Sequence, residues 1–532
     1  MGDRSGRRAA LGQVWQVAVR LYTQALGLLG EAGPPAARVE LLLGRAAAAS
    51  DLRRLDDARD DLEAGMALVA GLDDRHLAGR ALVVLGDLEQ KRGQFDAALA
   101  TLAAAVEQYT AAGDEGGVAD ALRITGLTQL FTGDHDGAET SIGRALEAYR
   151  SLGDRRGEAW ALQNLAWISY IRGRSVEAEA RISTSAATFS ELGDSGGLLW
   201  ALGLLAFVRY HHGAMLEAED LGEQVLIEAR ERGDRWGEGM MLLLMAGVRL
   251  WTGRPEPATV AARDALAVFR SIGDRFGEVQ ATAALGRAEV AAGRAREGLR
   301  RLQEGVDLHR DDRQHPELRA MVATALAATA VQLGEPAMAL RALASAGVDV
   351  DEPVAIGDTD RLVAHALAVL QKGRAEEAVD ALQRVLDAAD EAGPSAYAES
   401  ALALAAAVAG DDELVDRAGS AALGNPRGTY LDRLTARLAL ALRSARGAAA
   451  TTAVDAFDAL AEEANHHGDH VARAVVALAR ALVAEAHESE RAAEDRARAE
   501  AQLELLGVDA TGWRLVIGLA LAPGASVAEL PS

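Results

Sequence analysis

A chain of 532 residues is longer than one hydrophobic core usually organises, so several domains or a repeat array must account for it. Its net charge of −24 argues against non-specific nucleic-acid binding by the chain as a whole, and the absence of cysteine excludes disulfides, thiolate metal sites and a thiol nucleophile. Half of the residues are hydrophobic and only 4% are aromatic, which excludes a disordered chain and favours helices packed through small side chains.

The charged start, Met1 to Arg8, is followed by no uninterrupted apolar stretch. Neither a signal peptide nor a membrane span is expected, and the cytoplasm is the default compartment. Lysine occurs only at Lys91 and Lys372 while arginine is abundant, as a GC-rich bacterial genome would produce.

Residues 1–32 read as an N-terminal half repeat or cap. The stretch from Val14 to Gly30 has the register of a second helix, through Ala18, Tyr22 and Ala25. A first helix to pair with it would begin before residue 1. Two explanations stand: the chain is part of a longer protein, or an irregular cap replaces the missing helix.

From residue 33 the chain repeats every 40 residues. Gly-Asp pairs stand at Gly113-Asp114, Gly153-Asp154, Gly193-Asp194, Gly233-Asp234 and Gly273-Asp274. A second glycine marks mid-unit at Gly93, Gly133, Gly173, Gly213, Gly253 and Gly293. Small residues recur at Gly86, Gly126, Ala166, Ala206, Ala246 and Gly286, and again five residues after each mid-unit glycine, as at Ala98, Ala138 and Ala178. Apolar residues spaced by three and four between the glycines predict amphipathic helices. Mid-unit glycine can end the first helix, the next glycine the second, and aspartate can cap the helix that follows. Each unit is then a helix hairpin that buries its apolar face only by stacking on its neighbours.

The spacing Leu162, Ala166, Gly173, Ala178, repeated at Leu82, Gly86, Gly93, Ala98, resembles the tetratricopeptide (TPR) repeat family. That family's usual unit is about 34 residues. The longer unit here, and the Gly-Asp loop in place of the family's late proline, resemble its long-repeat subclass. The resemblance implies an all-α, right-handed superhelical solenoid of about twelve antiparallel hairpins, covering residues 33–346 most regularly. It is most specific from about residue 33 to 312. Similar arrays occur in bacterial multidomain regulators, including large ATP-binding transcription factors and nucleotide cyclases. Their catalytic or DNA-binding parts would lie outside this chain, in a covalently linked or associated signalling domain.

Farther along, residues 347–360 are acidic, β-branched and proline-bearing and read as a linker or long loop. Residues 361–521 read as degenerate helical repeats, in which Leu362, Ala366, Gly373 and Ala378 regain the register; residues 522–532 read as a flexible tail.

Three motifs carry possible chemistry. Gly193-Asp194-Ser195-Gly196-Gly197 reproduces the nucleophile pentapeptide of trypsin-like serine proteases. The same columns hold Gly-Asp-Arg-Arg-Gly at 153–157 and Gly-Asp-Arg-Trp-Gly at 233–237, so Ser195 reads as one version of a turn, with hydrolysis the minor alternative. His466-His467-Gly468-Asp469-His470 could ligate a metal, but it too contains a Gly-Asp turn. No Walker-type phosphate loop is possible, because neither lysine follows glycine. No cofactor, no metal and no catalytic residue is assigned.

The remaining signal is aromatic. In the TPR family the first helix of each unit lines the concave face, and the columns this implies hold Phe131, Trp160, Trp167, Tyr170, Trp200, Phe207, Tyr210 and Trp251, with Gln163, His211 and Arg123 beside them. Arg209 and Arg249 are near in sequence. Two readings remain open: these rings fill space between helices, or they form a concave groove around residues 120–252 that binds a protein segment or peptide. The function expected is accordingly a non-enzymatic binding scaffold or sensor, with no direct nucleic acid and no membrane. The alternative is a small-molecule-sensing arm of a larger signalling ATPase or cyclase.

Overall fold

The computed structural model describes residues 14–30, 33–308, 316–347, 359–388, 395–446, 450–487, 489, 491–523 and 525. These residues form 26 α-helices and no strand, arranged as successive antiparallel hairpins, so the all-α class expected from the repeat is the class found. The segments 1–13 and 348–358, and most of the 522–532 tail, lie outside the described residues.

One unit shows why this sequence folds locally as it does. Helix Arg155–Ile171 begins at Asp154, whose carboxylate accepts the Gly157 N–H at 3.0 Å. A side-chain cap of this kind contributes about 1 kcal/mol. The helix gives way to Gly173 at φ 70°, and the second helix, Ser175–Leu192, follows. Gly193, at φ 66°, closes that helix: its N–H donates to Ser190 O and the Asp194 N–H to Phe189 O at 2.9 Å. This is a Schellman closure, which needs the left-handed conformation that glycine adopts without strain. Asp194 then caps Ser195–His211 through the Gly197 N–H at 3.0 Å. The Gly-Asp pairs therefore end one helix and start the next.

Small residues sit where helices approach. A Cβ on Gly86 would lie 2.7 Å from Leu102, and one on Gly126 would meet Ile142. A further small column is the glycine three residues after the aspartate of each Gly-Asp pair from Gly113 to Asp274. Gly117, Gly157 and Gly197 lie against the rings of Tyr109, Tyr149 and Phe189, too close for any side chain. Those rings are fully buried in the second helices. Ion pairs join neighbouring hairpins outside the core, such as Arg92 with Asp56 at 2.7 Å and Arg294 with Glu256 at 2.6 Å. Being exposed, each contributes about 0–1 kcal/mol.

The chain packs as two compact units. The first contains residues up to Val208 with Asp220–Met241 and Val268–Asp274; the second contains Arg209–Glu219, Leu242–Ala267 and everything from Arg275. In the first, the core is a series of small clusters, one wherever neighbouring hairpins meet. In the second, one extended cluster runs from Val290 to Ala520 beside smaller ones. Its centre is helix Ala396–Ala409, buried on nearly every side, as an apolar, alanine-rich helix must be. The last helix, Ala510–Leu521, packs back on Ala396–Ala409 and His470–Ala486. Turns of the second unit also dock on one another. The His467 imidazole lies 3.3 Å from Gly253 O, the Asp509 N–H donates to Leu333 O at 2.8 Å, and Trp513 Nε1–H donates to Gln332 O at 2.9 Å.

Candidate functional site

In the first unit, helix Arg155–Ile171 presents Trp160, Gln163, Trp167 and Tyr170 at helical spacing on one stripe. Trp160 lies edge-on to the buried Phe189 at 5.1 Å between ring centroids, and the Arg123 guanidinium stands 6.0 Å above the Trp160 ring. Arg123 Nη1 also reaches Asn164 Oδ1 at 3.5 Å. Gln163 is buried, and its Oε1 has no hydrogen-bond partner among the described residues.

The rings connect into a chain. Phe95 stacks on Phe131 at 6.1 Å, and Phe131 meets Trp167 edge-on at 5.7 Å. Trp167 faces Trp236 at 6.5 Å, and Trp236 stacks on Trp200 at 4.8 Å with an interplanar angle of 12°. Tyr170 meets Phe207 at 6.5 Å. The candidates that belong to this unit, from Arg123 to Phe207, thus take part in this network or border it.

Burial separates two kinds of aromatic residue. Tyr109, Tyr149 and Phe189 of the second helices are at most 4% exposed. Phe131, Trp160, Trp167, Tyr170 and Phe207 of the first helices are each partly exposed, and Trp200 is 36% exposed.

Charged groups accompany the rings. Lys91 Nζ contacts Asp51 and Asp87, each at 2.8 Å, and Ser50 Oγ at 3.1 Å. Burial opposes both charges, but the attraction outweighs it: the Lys91 ammonium is raised and the Asp87 carboxyl lowered from their ordinary ranges. Burial pushes the Asp234 carboxyl up, with Asp51 adding to this, although the Gly237 N–H and Arg53 favour its charged form. Arg53 lies 5.9 Å from the Trp236 ring centroid and 3.6 Å from Asp274.

In the second unit, Tyr210, His211 and Trp251 form their own group. Tyr210 and His211 meet edge-on at 5.6 Å. Arg287 stands 4.6 Å above the Trp251 ring. Burial pushes the Tyr210 and Tyr397 phenols up, and both sense Asp360, Arg287 and Asp432. Of the arginines near these rings in sequence, Arg249 pairs with Glu219 at 3.1 Å and Arg209 with Glu217 at 3.5 Å. Their column points between adjacent helices, where a carboxylate meets each of them.

Ser195 is the first residue of its helix, and the Asp194 carboxylate is committed to the Gly197 N–H and to Arg156 Nε at 2.7 Å. The histidine cluster is also structural in its contacts. His467 packs on Tyr430 at 4.1 Å, and Asp469 caps a helix through the Ala472 N–H. Among the described residues no three His, Asp or Glu side chains are placed to share a metal ion. No helix among them is long and apolar enough to cross a membrane.

Sequence reasoning missed Trp236 and Arg53. Trp236 sits in the sequence as part of a Gly-Asp turn, yet it stands four residues before Met240, which occupies the Trp160–Trp200 column, and so shares that helix face. Arg53 occupies the mid-unit glycine column, 40 residues before Gly93.

No family model and no curated protein matches the chain. Solved structures do. A Rap protein complexed with competence and sporulation factor is 13% identical, with a TM-score of 0.51, over 66% of this chain and 98% of that one. NprR in complex with its cognate peptide NprX gives 13% identity and a TM-score of 0.48 over 66% of this chain and 98% of that one. A signal transduction ATPase with a tetratricopeptide repeat sensor, from Pyrococcus horikoshii, gives 15% and 0.41 over 62% of this chain and 52% of that one. The chain has a TPR-like helical-repeat fold.

Proposed function

We propose that this chain is a non-enzymatic, peptide-binding sensor module, and that the aromatic face of its first unit receives the peptide. The observation that carries this reading is the partial exposure of the linked rings Phe131, Trp167, Trp236 and Trp200 beside fully buried rings of the same stretch of hairpins. Partly exposed Trp and Tyr on a rigid helical surface are the residues that supply binding energy at low entropic cost. Support also comes from the Rap protein, a match in fold, which was solved complexed with competence and sporulation factor. In this reading the protein works in the cytoplasm of a bacterium and passes a binding event to a signalling domain.

The test is capture of partners by the intact chain and by a Trp160→Ala, Trp167→Ala, Trp200→Ala triple variant whose helicity is checked by circular dichroism. Loss of partners from a folded variant is expected. Undiminished capture would sink the groove.

A second reading has its own observation. The second unit contains a cavity of about 430 Å³ lined by Glu399, Arg417, Asp387, Gln383 and Leu402, a size that suits a small metabolite. Burial pushes the Glu399 carboxyl up, although Asn425 donates to it at 3.0 Å. A small-molecule-sensing arm would lose its thermal response to that ligand on Glu399→Gln, while peptide capture stayed intact.

A further inference from the structure

The mid-unit turns carry glycine with positive φ at Gly93, Gly133, Gly173, Gly213, Gly253 and Gly293. The turn at Arg53 differs. Among the described residues Arg53 is the one non-glycine with positive φ, at 58°. A side chain is strained there, and such strain persists only where the surroundings hold it.

What holds Arg53 is a box made of an indole ring, a carboxylate and a backbone carbonyl. Its guanidinium lies 5.9 Å from the Trp236 centroid, Nη2 is 3.6 Å from Asp274 Oδ2, and Nη1 is 3.5 Å from Lys91 O. Trp200 stacks on Trp236 and Trp167 stands tilted at 52° to it. The side chains of Arg53 and Asp274 are only 15% and 11% exposed. Indole faces beside carboxylates favour a planar cation over a compact ammonium, because a guanidinium can stack and hydrogen-bond at once. Yet these polar contacts of Arg53 are longer than a good charge-assisted hydrogen bond, which runs about 2.7–2.9 Å. The box holds this guanidinium, but loosely. By contrast, Arg287 in the second unit sits 4.6 Å over Trp251 from an ordinary helical position.

We propose that Trp236 and Asp274 form a receptor for the guanidinium of an arginine-bearing peptide, and that Arg53 fills it in this structure as an internal stand-in which the ligand displaces. The exchange swaps one guanidinium for another. It also frees residue 53 from its left-handed conformation, so the strain favours release. The acidic groups around the box, Asp274, Asp234 and Asp51, match a cationic ligand. The proposal rests on the peptide-binding reading for the remainder of the ligand, and it specifies the residue that anchors it.

The experiment uses the full chain, with N-acetyl-arginine amide as the probe and its citrulline and lysine counterparts as controls, followed by the indole N–H shifts of Trp200 and Trp236. Arg53→Gly restores the residue that the other turns carry, so the fold tolerates it. It should bind the arginine probe about tenfold more tightly than the unaltered chain. Adding Asp274→Asn, which retains a capping side chain, should reverse that gain. Citrulline, isosteric but neutral, should not bind, and lysine should bind more weakly than arginine. Equal affinity of Arg53→Gly and the unaltered chain, or citrulline binding as tightly as arginine, overturns the proposal. None of Arg53, Trp236 and Asp274 is altered in the triple tryptophan variant. Partner capture surviving that variant while the probe still answers to Arg53→Gly defeats the groove alone; lost capture with a silent probe defeats the guanidinium receptor alone.

Discussion

The first unit and the second build from the same hairpin and use their apolar surface differently. In the first, strict periodicity gives successive hairpins the same surroundings. Second-helix rings such as Tyr149 and Phe189 are buried between them, and the first-helix rings stay partly exposed. In the second, the period drifts, alanine replaces the larger side chains, and the helices from Thr359 to Leu521 join in one core. Periodic sequence therefore keeps a face open, whereas irregular sequence closes on itself.

The largest expected effect tests the two kinds of ring. Phe189→Ala empties a site with no exposure and should cost about 3–5 kcal/mol. Trp200→Ala, at 36% exposure, should cost about 1 kcal/mol or less, chiefly its stacking on Trp236. Urea unfolding of the two variants measures the difference. Similar losses would mean that Trp200 is a core residue and that the open face does not exist.

Next comes the contrast between turns. Gly334 in the second unit combines φ 75° with the Asp509 carbonyl directly where a Cβ would be. Gly113 in the first unit has φ 71° and open space. Gly113→Ala should cost about 1 kcal/mol from backbone conformation alone, and Gly334→Ala about 2–4 kcal/mol because the docked turns must separate. Equal shifts in the thermal midpoint would show that turn docking contributes nothing.

How much of this was legible in sequence follows from what a period can encode. Gly193 and Asp194 announced a helix end and a cap, and the structure uses both in those roles. Phe131, Trp167 and Trp200 came from the columns, and their rings connect through Trp236, which the columns did not supply. Trp167 and Trp236 are 69 residues apart and meet only through the stacking of successive hairpins, which no local spacing records. Arg53 was visible as a broken column, but its partners Trp236 and Asp274 are likewise distant in sequence. Arg249 stands near the aromatic columns in sequence, and its ion pair with Glu219 is a contact that those columns did not record.

A pH dependence should separate the units next. Asp469, a helix cap in the second unit, is 3% exposed, and burial pushes its carboxyl up to about 6. An unfolded aspartate titrates near 3.9. Between these values the folded chain holds a proton that the unfolded chain has released, so stability falls as pH rises from about 4 to 6 and stays lower above it. Asp469→Asn keeps the cap without the charge and should stabilise the protein by about 1–2 kcal/mol at pH 7, with the slope in this window flattened. Parallel stability curves for the two proteins across pH 4–7 would remove burial as the distinguishing property of this turn.

The smallest effect concerns Ser195, the first-unit counterpart of the residue that follows Asp469. Its place at the start of a helix, after an aspartate already occupied by Gly197 and Arg156, leaves the hydroxyl with no structural duty that the other turns do not fulfil with arginine. Ser195→Ala should therefore change stability by less than about 0.5 kcal/mol. Asp194→Ala in the same turn should cost about 1–2 kcal/mol, since it removes the cap. Partner capture should be unaffected by the serine change. Hydrolytic activity in the intact chain that vanishes with Ser195→Ala would break the comparison at its base, because a periodic turn would then be doing chemistry that the period does not explain.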